Sequence, residues 1–331
     1  MKKIINNADS VVQEMMTGFI AAHSRYYDMH PEVNGIIYKN RRKKKVALVV
    51  GGGSGHEPMF SGFVGKGLAD GAACGNIFAS PDPNTIFATA GAVSEGEGVL
   101  FVYGNYAGDN LNFDMGEEFL NDEGIPTAHV RVWDDVASAP RERIEDRRGI
   151  AGNVFVIKIA GAVCDLGKSL QEATAIVEKA RDHTFSIGIA TQSGQLPGLD
   201  KPIFELGEDE IEYGMGIHGE RGVKRTKMVP ADQLTESMYH QLLEAAGLQE
   251  GDEICVLVNS LGSTTLIELS IVYRKVKELL ERDGIRVYDA DLNHYCTSQE
   301  MGGFSISFFK LDQELKEYYD VPCHSPYYTK E

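Results

Sequence analysis

The sequence predicts an α/β protein of two domains. Short apolar runs alternate with segments of helical period, the runs empty into glycine-rich stretches, and the order of elements becomes less regular past residue 185. The clearest unit is the apolar run 46–50, followed by Gly51-Gly52-Gly53-Ser54-Gly55-His56-Glu57-Pro58. A run of that length bounded by turn signals reads as a buried strand of a parallel sheet. Open α/β sheets bind ligands at the carboxyl ends of such strands, and glycine lets backbone come close to a ligand. Ser54 and His56 are therefore expected to face a pocket. The octet lacks the Gly-Lys-Ser/Thr of a P-loop, and His56 stands where a dinucleotide fingerprint needs glycine. On the residues alone, a loop for a polar or anionic small molecule and a tight structural turn both stay open.

Composition narrows the class. With 331 residues the chain suffices for one large or two medium domains, and 43% apolar content rules out a disordered chain. A formal net charge of −17 argues against non-specific nucleic-acid binding. The basic run from Arg41 to Lys45 reads as a solvated loop ahead of the first strand. Five widely spaced cysteines, without a Cys-x-x-Cys pair, fit reduced and mostly buried thiols of a cytoplasmic protein, with no metal site. Neither a signal peptide nor an apolar stretch of membrane-spanning length is evident, so no membrane association is expected.

Taken in order, Asp9 is expected to cap a helix over 10–23, with Val12, Met15, Met16, Phe19 and Ile20 on one core-facing stripe. Residues 59–64 open a short helix that the glycine-rich 65–71 ends, and 75–83 reads as a second loop. Asn84 is placed as the cap of a helix over 85–94. The strand 99–103 ends in Gly104-Asn105-Tyr106-Ala107-Gly108-Asp109, which puts Asp109 in a loop before a helix over 112–120. A strand over 129–132 follows. This alternation points to a mainly parallel sheet flanked by helices. Residues 150–163 are ambiguous: Val154, Val156 and Ile157 favour a strand, Ala160 and Ala162 a helix. Ser169 and Glu172 form a capping box for a helix over 169–181. A strand over 185–190 opens the second half, so the domains are drawn as 1–184 and 185–331. That half reads as a mixed sheet with helices: strands 210–213, 253–259, 285–290 and 304–309, helices 231–246 and 264–281.

Three ionisable side chains stand beside glycines in expected loops: His56, Asp109 and His218. Function concentrates in loops held by a scaffold, but spacing does not say whether these three meet.

Six segments, in order, carry a resemblance: the 51–58 octet, Gly75-Asn76-Ile77-Phe78-Ala79-Ser80-Pro81, Asn105-Tyr106-Ala107-Gly108-Asp109, Gly214-Met215-Gly216-Ile217-His218-Gly219-Glu220, Asn259-Ser260-Leu261-Gly262, and the tail from Thr297 to Asp312. Over nearly its full length the chain resembles the dihydroxyacetone kinase family, in particular its phosphotransferase-dependent, ketose-binding DhaK-type subunits. The resemblance implies a DhaK/DegV-like fold and a helix at 150–163. It implies that His218 bonds covalently to the ketone carbon as a hemiaminal, a capture that polyols without a carbonyl escape. The other ring nitrogen of His218 then needs an acceptor, and Glu220 is the candidate. His56 and Asp109 match the family's acid–base pair, Gly53, Ser54 and Gly55 line the substrate, and Ser80 is a further lining residue. No cofactor is expected on this chain. ADP/ATP with magnesium is expected on a DhaL-type partner subunit, recharged by a phosphohistidine DhaM-type donor, and a homodimer is implied.

The chain also departs from the family pattern. Gly104 stands where a lysine precedes Asn-Tyr, which makes room for a four-carbon ketose such as erythrulose. Arg221 replaces a common proline and Gln299 a usual leucine. A ketose-sensing transcriptional coactivator is the alternative within the family, and a DegV-type lipid carrier a remoter one. A pure sensor has no use for His56 and Asp109 as an acid–base pair, so their presence favours an enzyme.

Overall fold

A computed structural model describes residues 2–331. The chain divides into two compact units that interleave in sequence. One holds the described residues up to Val132 with Val156–Lys179 and Glu317–Glu331; the other holds Trp133–Phe155 and Ala180–Lys316. A single boundary after residue 184 would instead place 133–155 in the first domain and 317–331 in the second.

The first unit contains α1 (Val11–Ala22), β1 (Tyr27–Met29), β2 (Gly35–Tyr38), β3 (Ala47–Ser54), β4 (Gly71–Ile77), α2 (Pro83–Val93), β5 (Val99–Gly104), α3 (Ala107–Asp122) and β6 (Thr127–Val132). Its six strands run in the order β1-β2-β4-β3-β5-β6, with β4, β3, β5 and β6 mutually parallel and the β1–β2 edge antiparallel. One core cluster packs Val49, Phe101 and Tyr103 of the sheet against Ile86 and Ala90 of α2 and Phe113 of α3. The Tyr103 and Phe113 rings stack with centroids 4.1 Å apart.

Several sequence expectations shift here for steric reasons. The glycines after residue 50 are strand, not loop: Gly51, Gly52 and Gly53 pair with Ala73, Cys74 and Gly75 of β4. A Cβ at Gly51 would lie 2.6 Å from the Ala73 carbonyl oxygen, and one at Gly52 would collide with the Phe60 ring. These glycines thus make room for tight packing, and residues 75–77, expected as a loop, become the end of β4. Asp82 rather than Asn84 caps α2, accepting from the Asn84 and Thr85 N–H groups at 3.0 and 3.1 Å with Pro83 in the first helical position. Asn7 rather than Asp9 caps the first turn, a 3-10 turn over Ala8–Ser10. Of the helix expected at 59–64 only a 3-10 turn, Ser61–Phe63, forms. Lys45, placed in a solvated run, is 4% exposed, with Nζ 2.5 Å from Asp70 and 3.3 Å from Asp165.

Further along come α4 (Asn153–Asp165) and α5 (Leu170–Asp182). The ambiguous 150–163 stretch is therefore helical. Ser169 and Glu172 form the expected capping box, with Oγ to carboxylate at 2.6 Å.

The second unit carries β7 (Thr184–Gln192), β8 (Glu210–Tyr213), β9 (Lys224–Lys227), α6 (Ala231–Ala246), β10 (Glu253–Ser260), α7 (Leu266–Arg282), β11 (Arg286–Asn293) and β12 (Gly302–Leu311). Its sheet order is β11-β10-β12-β7-β8-β9, in which only β10 and β11 are parallel. The sheet is mixed, as expected, and its core joins Ile187, Val256 and Ile306 to Met238 of α6 and Val276 of α7. The chain closes with α8 (Gln313–Tyr319) and the short pair β13 (Cys323–His324) and β14 (Thr329–Lys330). All five cysteines are buried. Among the described residues no helix is long and apolar enough to cross a membrane.

Candidate functional site

In the first unit, β3 carries the chain to the carboxyl edge of the parallel strands and ends at Ser54. The Ser54 hydroxyl donates to the Gly75 carbonyl at 2.7 Å, which ties β3 to β4. Gly53 is pressed against the next segment: a Cβ there would sit 2.8 Å from the Ala79 nitrogen. The turn proper begins at Gly55, whose φ of +99° suits glycine, and the Gly55 N–H donates to both Glu57 carboxylate oxygens, at 2.9 and 3.1 Å. Burial pushes the Glu57 carboxyl up, against the backbone bonds that pull it down. His56 follows, fully buried, its ring stacked on Phe78 with centroids 4.9 Å apart and planes 20° apart.

Asp109 lies in the first turn of α3 rather than in a loop, because the helix starts at Ala107 directly after an extended Tyr106. It is buried, and a carboxylate is favoured at this end of a helix by the N–H groups that have no intrahelical acceptor. Ser80 lies beside this turn: a Cβ on Gly108 would be 3.7 Å from the Ser80 Cβ, and Asn112 of α3 donates to the Pro81 carbonyl at 2.9 Å. The segment from Phe78 to Pro81 therefore touches both halves of this site, stacking on His56 and packing on the turn that bears Asp109. Phe78 was missed by the sequence reading, although it lies within one of the six segments of resemblance.

The second unit holds His218 in a loop between β8 and β9. Bonds from all sides shape the loop. The Ile217 carbonyl accepts from the buried Ser298 hydroxyl at 2.5 Å. Arg148 donates to the Gly214 carbonyl at 2.5 Å and pairs with buried Asp135 at 3.0 Å. Buried Glu212 accepts from the Gly222 N–H at 2.9 Å and from Arg225 at 2.9 and 3.1 Å. Met215 sinks into a cluster with Ala190, Leu261 and Met301. Ser298, Arg148 and Asp135 are residues that sequence reasoning did not single out; only Ser298 had a signal, as part of the Thr297-to-Asp312 tail.

Within the loop, His218 Nδ1 lies 2.6 Å from Glu220 Oε1, and the His218 backbone N–H donates to Glu220 Oε2 at 3.0 Å. Gly216 leaves room for this carboxylate, since a Cβ there would collide with Glu220 Oε2. Burial alone would raise the Glu220 carboxyl, but the hydrogen bond and charge of His218 bring it down to about 2. An ionised Glu220 accepts a hydrogen bond from Nδ1–H, so the neutral ring keeps its lone pair on Nε2. A neutral imidazole so oriented is a competent nucleophile toward an unhindered carbonyl.

For metals, the described residues contain one group of suitable side chains, Asp114, Glu117 and His129 on α3 and β6. Internal contacts occupy all three: His129 Nδ1 bonds Glu117 at 2.6 Å, and Arg131 pairs with Asp114 at 2.5 Å.

The parallel sheet with a glycine-tight strand end, the helix-borne Asp109 and the carboxylate-held His218 define one class of protein. The Dak1 domain family matches residues 17–327, and the chain belongs to it. It is 43% identical over 330 residues to the dihydroxyacetone-binding subunit DhaK of PTS-dependent dihydroxyacetone kinase 2 from Listeria innocua, covering 99% of each chain. It is 40% identical over 336 residues to the L-erythrulose kinase of Pectobacterium atrosepticum, spanning all of this chain and 56% of that protein. Among solved structures, the dihydroxyacetone kinase of C. freundii matches with a TM-score of 0.90 at 29% identity, over 99% of this chain and 60% of that one.

Proposed function

We propose that this chain is the ketose-binding subunit of a phosphotransferase-dependent dihydroxyacetone kinase. His218 Nε2 adds to the ketone carbon, the C=O electron pair moves to oxygen, and that oxygen takes a proton to give a hemiaminal. The observation that carries the reading is the Nδ1–Glu220 contact, which leaves the lone pair on Nε2 for a carbonyl carbon and meets the positive charge that grows on the ring. Asp109 then accepts the proton of the reacting hydroxyl and His56 polarises it, while the phosphoryl group arrives from a nucleotide held with magnesium on a DhaL-type partner. That partner is recharged by a phosphohistidine DhaM-type protein.

A second reading concerns the substrate. Gly104 is the buried last residue of β5, two residues before the extended Tyr106 that starts the helix of Asp109. With no side chain there, a four-carbon ketose gains space, in keeping with the erythrulose kinase among the relatives. The test is turnover of dihydroxyacetone and of each erythrulose enantiomer with the nucleotide-loaded partner and its phosphohistidine donor. Turnover of any of them supports the kinase reading and ranks the ketoses. A ketose adduct on His218 without turnover would replace it with the sensor, and neither adduct nor turnover would overturn both.

A further inference from the structure

Phe78 holds a backbone conformation that its residue type disfavours. Its φ is +55°, in the left-handed region where a bulky side chain is an outlier. Such conformations persist where the surroundings fix them, and they cluster at functional sites. Two backbone bonds fix this one. The Phe78 N–H donates to the Ser54 carbonyl at 2.9 Å, and the Ala79 N–H closes a turn on the Asn76 carbonyl at 3.1 Å. The first of these ties Phe78 to the end of β3, two residues before His56.

Two glycines make room for the side chain. A Cβ on Gly55 would lie 2.8 Å from the Phe78 ring, and one on Gly53 would lie 3.0 Å from the Phe78 Cα. The ring meets His56 nearly face to face, with centroids 4.9 Å apart and planes 20° apart. Phe78 is only half-buried, whereas His56 has no exposed surface, so the phenyl ring covers one face of the imidazole. The far end of the same segment is pinned to α3. Asn112 donates to the Pro81 carbonyl at 2.9 Å, and Ser80 packs beside Gly108. Pro81 and Pro83 stiffen the connection. The surface on which His56 rests is thus fixed relative to the helical turn that bears Asp109.

We propose that Phe78 is a positioning residue for His56: its ring sets the plane of the imidazole, so that His56 acts on the hydroxyl served by Asp109. This rests on the kinase reading above. A misaligned group loses little in binding and much in the reacting geometry, where a displacement of about 1 Å costs on the order of 10²-fold. The test compares Phe78→Leu and Phe78→Tyr with the wild type, using the full chain, the nucleotide-loaded partner, its phosphohistidine donor, and whichever of dihydroxyacetone and erythrulose the wild type turns over. Leucine keeps apolar volume and removes the flat face; tyrosine keeps both. Phe78→Leu is expected to lower kcat about tenfold or more while KM and the ketose adduct on His218 change by less than about twofold. Phe78→Tyr is expected to stay within about threefold of the wild type. Proton NMR of the His56 ring reads the stack itself: its resonances should lie upfield in the wild type and Phe78→Tyr, and move downfield in Phe78→Leu. Wild-type kcat in Phe78→Leu, a loss carried by KM or by the adduct instead, or a Phe78→Tyr no better than Phe78→Leu would overturn the assignment. Absence of turnover in the wild type would overturn the kinase reading; the hold on the His56 ring then stands if its resonances move in Phe78→Leu and falls if they do not.

Discussion

Glu220 holds His218 twice, through the ring Nδ1 at 2.6 Å and through the backbone N–H at 3.0 Å. One carboxylate thus sets both the tautomer of the ring and the turn that carries it. Glu220→Gln keeps the shape and removes the charge, so the account expects the ketose adduct to weaken about tenfold while the fold persists. Adduct occupancy against ketose concentration checks this, and an unchanged titration curve would contradict the role given to Glu220.

The same contact makes a pH prediction. The Glu220 carboxyl falls from its ordinary 4.5 to about 2 in the folded protein. A group depressed on folding contributes stability that is fully present above its unfolded value and is lost as pH falls through the folded one. The urea midpoint of the wild type should therefore exceed that of Glu220→Gln at pH 5, and the gap should close between pH 4.5 and 2. The carboxylate is partly exposed, so the gap itself is expected to be small. A gap that stayed flat across this window would show that the proton is held elsewhere.

On the proposed mechanism, Asp109→Asn separates capture from transfer. Removing a positioned proton acceptor typically costs about 10²–10⁴-fold in rate, whereas His218 needs no help from Asp109 to reach a carbonyl. The variant should keep its ketose adduct and lose turnover by that order. Wild-type turnover would move the base role to another residue.

Stability hinges on a different pair. The Lys45 and Asp70 side chains are 2% and 4% exposed and 2.5 Å apart. Taking away one partner of a buried ion pair strands the other, at a cost of about 3–5 kcal/mol. Lys45→Met should show that loss in urea unfolding, and a change below about 1 kcal/mol would mean that Asp70 finds protonation or another donor cheaply.

Much of this architecture was legible in the sequence because its signals are local. The helix Ala231–Ala246 and the strand Glu210–Tyr213 begin and end where their periodicity and turn residues place them. The glycine run after residue 50 misled because glycine signals two things, a turn or a close approach. Here the neighbouring Ala73 and Phe60 decide for close approach, and neither is near in sequence. Asp109 was placed in a loop because it follows a strand and the glycines Gly104 and Gly108, yet α3 gains its stability from packing Phe113 and Leu120 into the core. Lys45 reads as solvated until Asp70 and Asp165 are seen around it. Ambiguity at 150–163 came from β-branched residues in a segment buried on nearly every side, where periodicity carries no information. In the second unit, the neighbour Glu220 was found two residues from His218. Phe78, Arg148 and Asp135 act across long sequence separations, and no spacing rule points to them.

Intact mass spectrometry under native conditions, with dihydroxyacetone added to the wild type and to His218→Ala, tests the central claim most directly. The account predicts a gain of one whole ketose on the wild type, mapped to His218, and none on the variant. An undiminished adduct on His218→Ala, or no adduct on the wild type at saturating ketose, would contradict it.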